Sequence, residues 1–263
     1  AASGAASAGD DDASMGGAGR RGVDAAADGD VASGKGAGTT TTIYIVRHGQ
    51  TTFNAVKKLQ GWMDTELTDL GKQQARLVGE AFRSLGHFDA VTSSDLKRAL
   101  HTAERIAEVI GHGGGVDTHE GLREHNLGIF SNRTWAECKR VFPDEVALYM
   151  KGGRGSTYVI PEGESKASKY KRVTEAVDEL ARRYAGKRIV LVSHGGSIGD
   201  MYARADDGSK ASGGAGAVVV PNCSISVLQV DVSSTPTKWT RVAWGDVSHL
   251  GSNVSHSSLA ALA

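Results

Sequence analysis

Residues Thr41-Thr42-Ile43-Tyr44-Ile45-Val46 form an unbroken β-branched and aromatic run, which predicts a buried strand. Over 69–85, Leu70, Ala75, Leu77, Val78 and Ala81 lay down a helical stripe, with Thr68 in place as N-cap. A second strand is predicted over 88–93, followed by a helix over 95–110 that Gly111 closes. Between 135 and 150 the pattern suits one or two short helices. A longer helix over 165–184 leads into the strand Arg188-Ile189-Val190-Leu191-Val192-Ser193, and another helix should start after Gly196. Residues 224–231 and 238–244 read as a final hairpin at a sheet edge. Strands alternating with helices in this order predict an α/β domain around a mostly parallel sheet.

Composition narrows the boundaries. In residues 1–38, 22 positions are Ala or Gly, and the larger apolar side chains there are Met15, Val23 and Val31. Such a segment cannot bury enough surface to offset its ordering entropy. Residues 1–39 are therefore expected to be a disordered arm; its six aspartates speak against a transit peptide. The catalytic domain is expected over 40–250, with a mobile loop over 206–217 and a flexible tail over 251–263. Thirty basic residues balance thirty acidic ones, which argues against nucleic acid as partner. No window reaches 18 consecutive apolar residues, so no membrane-spanning helix is expected. Two cysteines, Cys138 and Cys223, are read as packing residues of a protein in a reducing, intracellular compartment, with cytosol or plastid left open.

The chemistry-bearing residues gather at strand ends. Arg47-His48-Gly49 ends the first strand and Ser193-His194-Gly195-Gly196 ends the third, 146 positions later by the two histidines. In an open α/β sheet, ligands bind beyond the carboxyl ends of the strands, so these histidines can meet. Arg98 falls in the first turn of the helix after the second strand, on the same rim. Helix N-termini favour anions, and guanidinium pairs with phosphate oxygens. Two Arg, two His and a helix start describe a pocket for a phosphoryl group.

These segments, together with Leu67-Thr68-Asp69-Leu70-Gly71 and Ser93-Ser94-Asp95-Leu96-Lys97-Arg98-Ala99, resemble the histidine phosphatase superfamily, also called phosphoglycerate-mutase-like, over residues 42–250. The resemblance implies a three-layer sandwich with a short helical cap. His48 would be the nucleophile that becomes a phosphohistidine, while Arg47, Arg98 and His194 would hold the phosphoryl oxygens. No metal or cofactor is implied. The family's acid/base would be Glu124, in Leu122-Arg123-Glu124 with Gly128 four residues on. Asn54, Gln60 and Gly195 would add substrate contacts. Where the family often has a second Gly before Thr134, this chain has Asn132, a residue that tolerates left-handed backbone.

The interval from Glu124 to His194 is 70 residues, shorter than the Lys- and Arg-rich insertion of cofactor-dependent mutases in this family. A short cap leaves a phosphohistidine open to water. With Pro161-Glu162-Gly163-Glu164-Ser165 and Gly245-Asp246-Val247-Ser248-His249-Leu250, the chain looks most like a plant group of phosphoglycerate-mutase-like proteins and metal-independent phosphoserine phosphatases. The expected activity is a metal-independent phosphomonoesterase on a small metabolite, phosphoserine leading. Phosphoglycerate mutase and a non-catalytic phospho-ligand binding module are the alternatives. Self-association as a homodimer stays open. Lys166, Lys169, Lys171, Arg172 and the Arg182-Arg183 pair are expected on a solvated helix face. Lys57 and Lys58 are weighed as a greeting site for an anionic substrate. Asp200, near the anion pocket, is expected to be solvated or turned away.

Overall fold

The computed structural model describes residues 39–205 and 220–254. Most of the arm expected over 1–39 and the loop expected over 206–217 lie outside the described residues, as does the tail from 255. Residues 251–254 are described, and the Asn253 carbonyl accepts a hydrogen bond from Gln74 Nε2 at 2.8 Å.

Six strands form one sheet: β1 (Thr40–Arg47), β2 (Ala90–Ser93), β3 (Asp117–Thr118), β4 (Arg188–Ser193), β5 (Ile225–Asp231) and β6 (Lys238–Asp246), in the order β3-β2-β4-β1-β5-β6. The four strands from β3 to β1 run parallel; β5 and β6 add an antiparallel hairpin at one edge. The helices in chain order are α1 (Thr52–Ala55), α2 (Asp69–Ser84), α3 (Lys97–Ile110), α4 (Trp135–Val141), α5 (Pro143–Lys151), α6 (Lys166–Arg183) and α7 (Gly195–Arg204).

Strand side chains alternate between faces, and the two middle strands are apolar on both. Ile43, Ile45, Ile189 and Leu191 pack with Val173, Val177 and Leu180 of α6 and Ile198 and Met201 of α7. Val46, Val190 and Val192 pack on the other face with Ala75, Val78 and Phe82 of α2 and Ala99, Ala103 and Ile106 of α3. The result is the expected three-layer sandwich. A third cluster, with Phe130, Cys138, Val146 and Ile160 buried against Trp135, Phe142 and Tyr149, gives α4 and α5 their own small core as a cap.

Several predicted boundaries coincide with chemistry. Thr68 Oγ1 caps α2 by accepting from the Gly71 N–H at 3.1 Å, and Ser165 Oγ does the same for α6 through Ser168 at 3.0 Å. Gly111 ends α3 with φ +71°, a left-handed turn that favours glycine. Asn132 takes φ +63°, as its tolerance of that region allows. Two differences matter. Helix α3 begins at Lys97, not Asp95: Leu96 is the N-cap with extended backbone (φ −65°, ψ 129°), and the Asp95 carboxylate is engaged by Arg123 Nε at 2.8 Å. The two-residue edge strand β3 was not predicted, since two residues carry no periodicity.

Candidate active site

Sheet register brings the two histidines together. Arg47 of β1 is the lateral partner of Ser193 of β4, so His48 and His194 leave neighbouring parallel strands at the same level. The His48 N–H donates to the Ser193 carbonyl at 3.0 Å, and the imidazole centroids are 5.3 Å apart. Both rings are buried. His48 Nδ1 lies 2.8 Å from the Gly49 carbonyl oxygen. A carbonyl only accepts, so Nδ1 carries the proton and Nε2 presents its lone pair.

Arg98, at 1% exposure, is among the largest fully buried side chains. Its Nη atoms donate to the carbonyls of Met63 at 2.9 Å and Gly61 at 2.8 Å, which fixes the guanidinium at the rim. Arg47 Nη1 donates to the Val220 carbonyl at 2.6 Å. Glu124 stands at the start of α7: Oε2 accepts from the Gly196 N–H and Oε1 from the His125 N–H, each at 2.8 Å. A Cβ on Gly196 would come within 2.4 Å of Glu124 Oε1, so only glycine lets the carboxylate approach this close.

Burial first, then the charge of Arg98, holds both imidazoles well below the usual histidine pKa, and Arg47 adds to this. Both rings are therefore neutral across the physiological range. Burial pushes each guanidinium down to about 10, opposed by Glu124, and both stay charged. Burial would push the Glu124 carboxyl up, but Lys169, the two amide N–H groups and Arg98 outweigh it and hold the group below its ordinary value. Among the described residues, neither ring nitrogen of His194 nor Arg98 Nε has a hydrogen-bond partner. Buried polar atoms left this way call for a ligand. The guanidiniums of Arg47 and Arg98 supply the charge, and the one N–H of neutral His194 a further donor, that a phosphoryl dianion would take.

Asn54 and Gln60 lie beside this centre. Asn54 Oδ1 accepts from the Thr51 N–H at 3.1 Å and Asn222 Nδ2 at 3.3 Å, while Asn222 Nδ2 also donates to the His48 carbonyl at 2.9 Å. Gln60 Oε1 accepts from the hydroxyls of Thr51 at 3.0 Å and Thr65 at 2.5 Å. Gly195 is the first residue of α7; a Cβ there would stand 3.5 Å from Arg47 Nε, an ordinary contact. Among the described residues, no group of three or more His, Cys, Asp or Glu side chains is placed to hold a metal ion.

The pattern of the histidine phosphatase superfamily (branch 1) matches residues 43–246. The chain belongs to the histidine phosphatase superfamily. It is 36% identical over 208 residues to phosphoglycerate mutase-like protein 4 of Arabidopsis thaliana, covering 79% of this chain and 86% of that protein. It is 31% identical over 212 residues to the metal-independent phosphoserine phosphatase of the same plant, covering 81% and 84%. Among solved structures, Bacillus stearothermophilus YhfR superposes with a TM-score of 0.68 at 28% identity, over 80% of this chain and 99% of that one. A phosphoserine phosphatase from Entamoeba histolytica, in complex with phosphoserine, gives 0.64 at 26% identity, over 80% and 99%.

This histidine phosphatase departs from the sequence reading in two helices, α6 and α7. Of the four cations in the first half of α6 expected on its solvated face, only Lys171 is exposed. Lys166, Lys169 and Arg172 recur every third residue, which puts them on one side of the helix, and that side faces the site. Arg172 grips Glu164 through Nη2 at 2.5 Å and Nε at 3.0 Å, and donates to the carbonyls of Gly121, Arg123 and Glu124 at 3.1, 2.7 and 2.7 Å. Asp200 is likewise neither solvated nor turned away: it is buried and meets Lys169 Nζ at 3.0 Å and Arg154 Nε at 3.3 Å. A lone acid and a lysine thirty-one residues apart look solvated in sequence because nothing local pairs them. Arg182 and Arg183 are exposed as expected. Lys58 Nζ is engaged by Asn132 Oδ1 at 3.0 Å. Sequence reading also missed Trp62, whose Nε1–H donates to the Glu124 carbonyl at 2.7 Å, and Asn222, which no motif flagged. Both cysteines are buried and free. No helix of the described residues is long and apolar enough to cross a membrane.

Proposed function

We propose that this histidine phosphatase is a metal-independent phosphomonoesterase that works through a phosphohistidine at His48, with phosphoserine as leading substrate. The observation that carries the reading is the buried pair of neutral imidazoles 5.3 Å apart, one with its Nδ1 tied to a carbonyl. The Nε2 lone pair attacks phosphorus and the bond from phosphorus to the ester oxygen breaks. Arg47, Arg98 and His194 take the three equatorial oxygens and stabilise the charge spread over them. Glu124 gives its proton to the departing oxygen; a water then attacks the phosphohistidine, Glu124 takes a proton from it, and inorganic phosphate leaves. The entering phosphoryl dianion raises the proton affinity of the carboxylate beside it, which loads it as an acid when substrate is bound. Asn54, Gln60 and the Gly195 amide complete the phosphate contacts.

Hydrolysis is favoured over transfer by the cap, two helices of 7 and 9 residues over a small core. The choice of phosphoserine is supported by the relatives that carry that activity in their names. The test is a panel of phosphomonoesters assayed in EDTA, wild type against His48→Ala. Expected are release of inorganic phosphate with phosphoserine ranked first in kcat/KM, acid-labile radiolabel on the wild type under rapid quench, and neither with His48→Ala. Phosphate retained and moved between hydroxyls, stimulated by 2,3-bisphosphoglycerate, would instead mean a mutase. Ligand binding without turnover would mean a binding module.

A further inference from the structure

Lys169 is a lysine at 7% exposure, and its ion-pair partner among the described residues, Asp200, is at 3%. Two helices bracket this pair against Glu124. On α6, Lys169 stands three residues before Arg172, whose Nη2 holds the Glu124 carbonyl at 2.7 Å. On α7, Asp200 stands four residues after Gly196, whose N–H holds the Glu124 carboxylate at 2.8 Å. Lys169 and Asp200 therefore pair across α6 and α7 about one helical turn along from the two positions that grip Glu124. A buried ion pair returns little net stability and carries no net charge, but it fixes the ammonium in a dry setting where its field is weakly screened. We propose that Lys169, anchored by Asp200, is a positioning residue that governs the protonation of Glu124 and thereby the pH range of turnover.

This rests on the reading of Glu124 as proton donor and acceptor. The other groups facing Glu124 do not supply an adjustable charge. Arg47 from β1 and Arg98 from α3 are committed to the phosphoryl group, and Arg172 is committed to Glu164 and to three carbonyls of the segment that ends in Glu124, so its removal would dislodge that segment as well. Burial keeps Tyr149 of α5 protonated, and His125, pushed down to about 4 by burial and then by Lys169, is neutral above that. The imidazoles of His48 and His194 are neutral too. Lys169 is the leading charge opposing the burial of the carboxyl.

The experiment follows the Glu side-chain carboxyl carbons by 13C NMR titration, with the Glu124 signal assigned by its loss in Glu124→Gln. Lys169→Met should raise the Glu124 midpoint by about one pH unit, and Lys169→Arg should leave it in place. The alkaline limb of kcat/KM for an alkyl phosphomonoester should move up with it. The limb for p-nitrophenyl phosphate, whose leaving group needs no proton, should stay. The double variant Lys169→Met with Asp200→Leu strands no buried charge and should give a smaller shift of the same sign, including where the single variant fails to fold. An unmoved midpoint in the folded variants overturns the inference, as does an equal move of both kinetic limbs. Undiminished alkyl phosphate turnover in Glu124→Gln overturns the acid/base reading itself, and with it the consequence for turnover, whatever the titration gives.

Discussion

Burying two imidazoles beside two guanidiniums makes the neutral ring the stable one, and that preference has a cost at acid pH. Above about pH 6.5 the rings of His48 and His194 are neutral in both folded and unfolded chains, and the site's stability is complete. Below it the unfolded chain takes up protons that the native site refuses, because both folded pKa values lie well below 6.5. Stability therefore falls as pH drops from 6.5 toward those lowered values, by about 1.4 kcal/mol per pH unit for each ring. His194→Gln should flatten the decline in urea-unfolding free energy between pH 6 and pH 5 by about that amount. An unchanged slope would mean that His194 titrates like a solvated histidine. His125 and His249 also lie low, so the difference between variants, not the wild-type slope, isolates the residue.

Between elements, what matters is how a backbone position becomes a side-chain position. The run 41–46 and the strand 188–193 announce themselves in sequence by unbroken apolar character, and their pairing follows from burial on both faces. Once Arg47 opposes Ser193, the meeting of His48 and His194 is a consequence of register. The acid/base was harder to read: Glu124 follows a three-residue 3-10 turn, Glu120–Leu122, in a stretch without periodicity, and only resemblance singled it out. The buried side of α6 was illegible for a different reason. Lysine and arginine stems can lie along an apolar surface with the charge at the far end, so a cationic stripe does not say whether it meets water or protein. The Gly196–Glu124 approach gives a direct test of how finely α7 sets the carboxylate. In Gly196→Ala the added methyl falls 2.4 Å from Glu124 Oε1, which pushes the carboxylate aside by roughly an ångström. Turnover of an alkyl phosphomonoester should fall by about 100-fold, with far-UV circular dichroism unchanged, since alanine suits a helix better than glycine. Wild-type turnover in the variant would show that the carboxylate position is not critical.

For the molecule as a whole, the site is a junction between layers. The strand ends supply the histidines, one helical layer supplies Arg98, and the other supplies α7 and α6, while Glu124 comes from the chain between β3 and the cap. Arg172 ties several of these together, since its guanidinium joins α6 to Glu164 below the cap and to three carbonyls of the segment that ends in Glu124. Removing it strands the Glu164 carboxylate, whose side chain is 14% exposed, and leaves those carbonyls without their donor. Breaking such a pair from one side costs about 3 kcal/mol. Arg172→Ala should lose about that much in urea unfolding and lose turnover as well, because the carbonyl of Glu124 is then held by Trp62 alone among these donors. Adding Glu164→Ala should recover part of the stability, since no charge is left stranded, but not the turnover. Arg182→Ala, on the exposed side of the same helix, should change stability by less than about 0.5 kcal/mol and leave turnover intact. Equal effects at Arg172 and Arg182 would return the whole cationic stripe to solvent and dissolve the distinction between the two faces of α6.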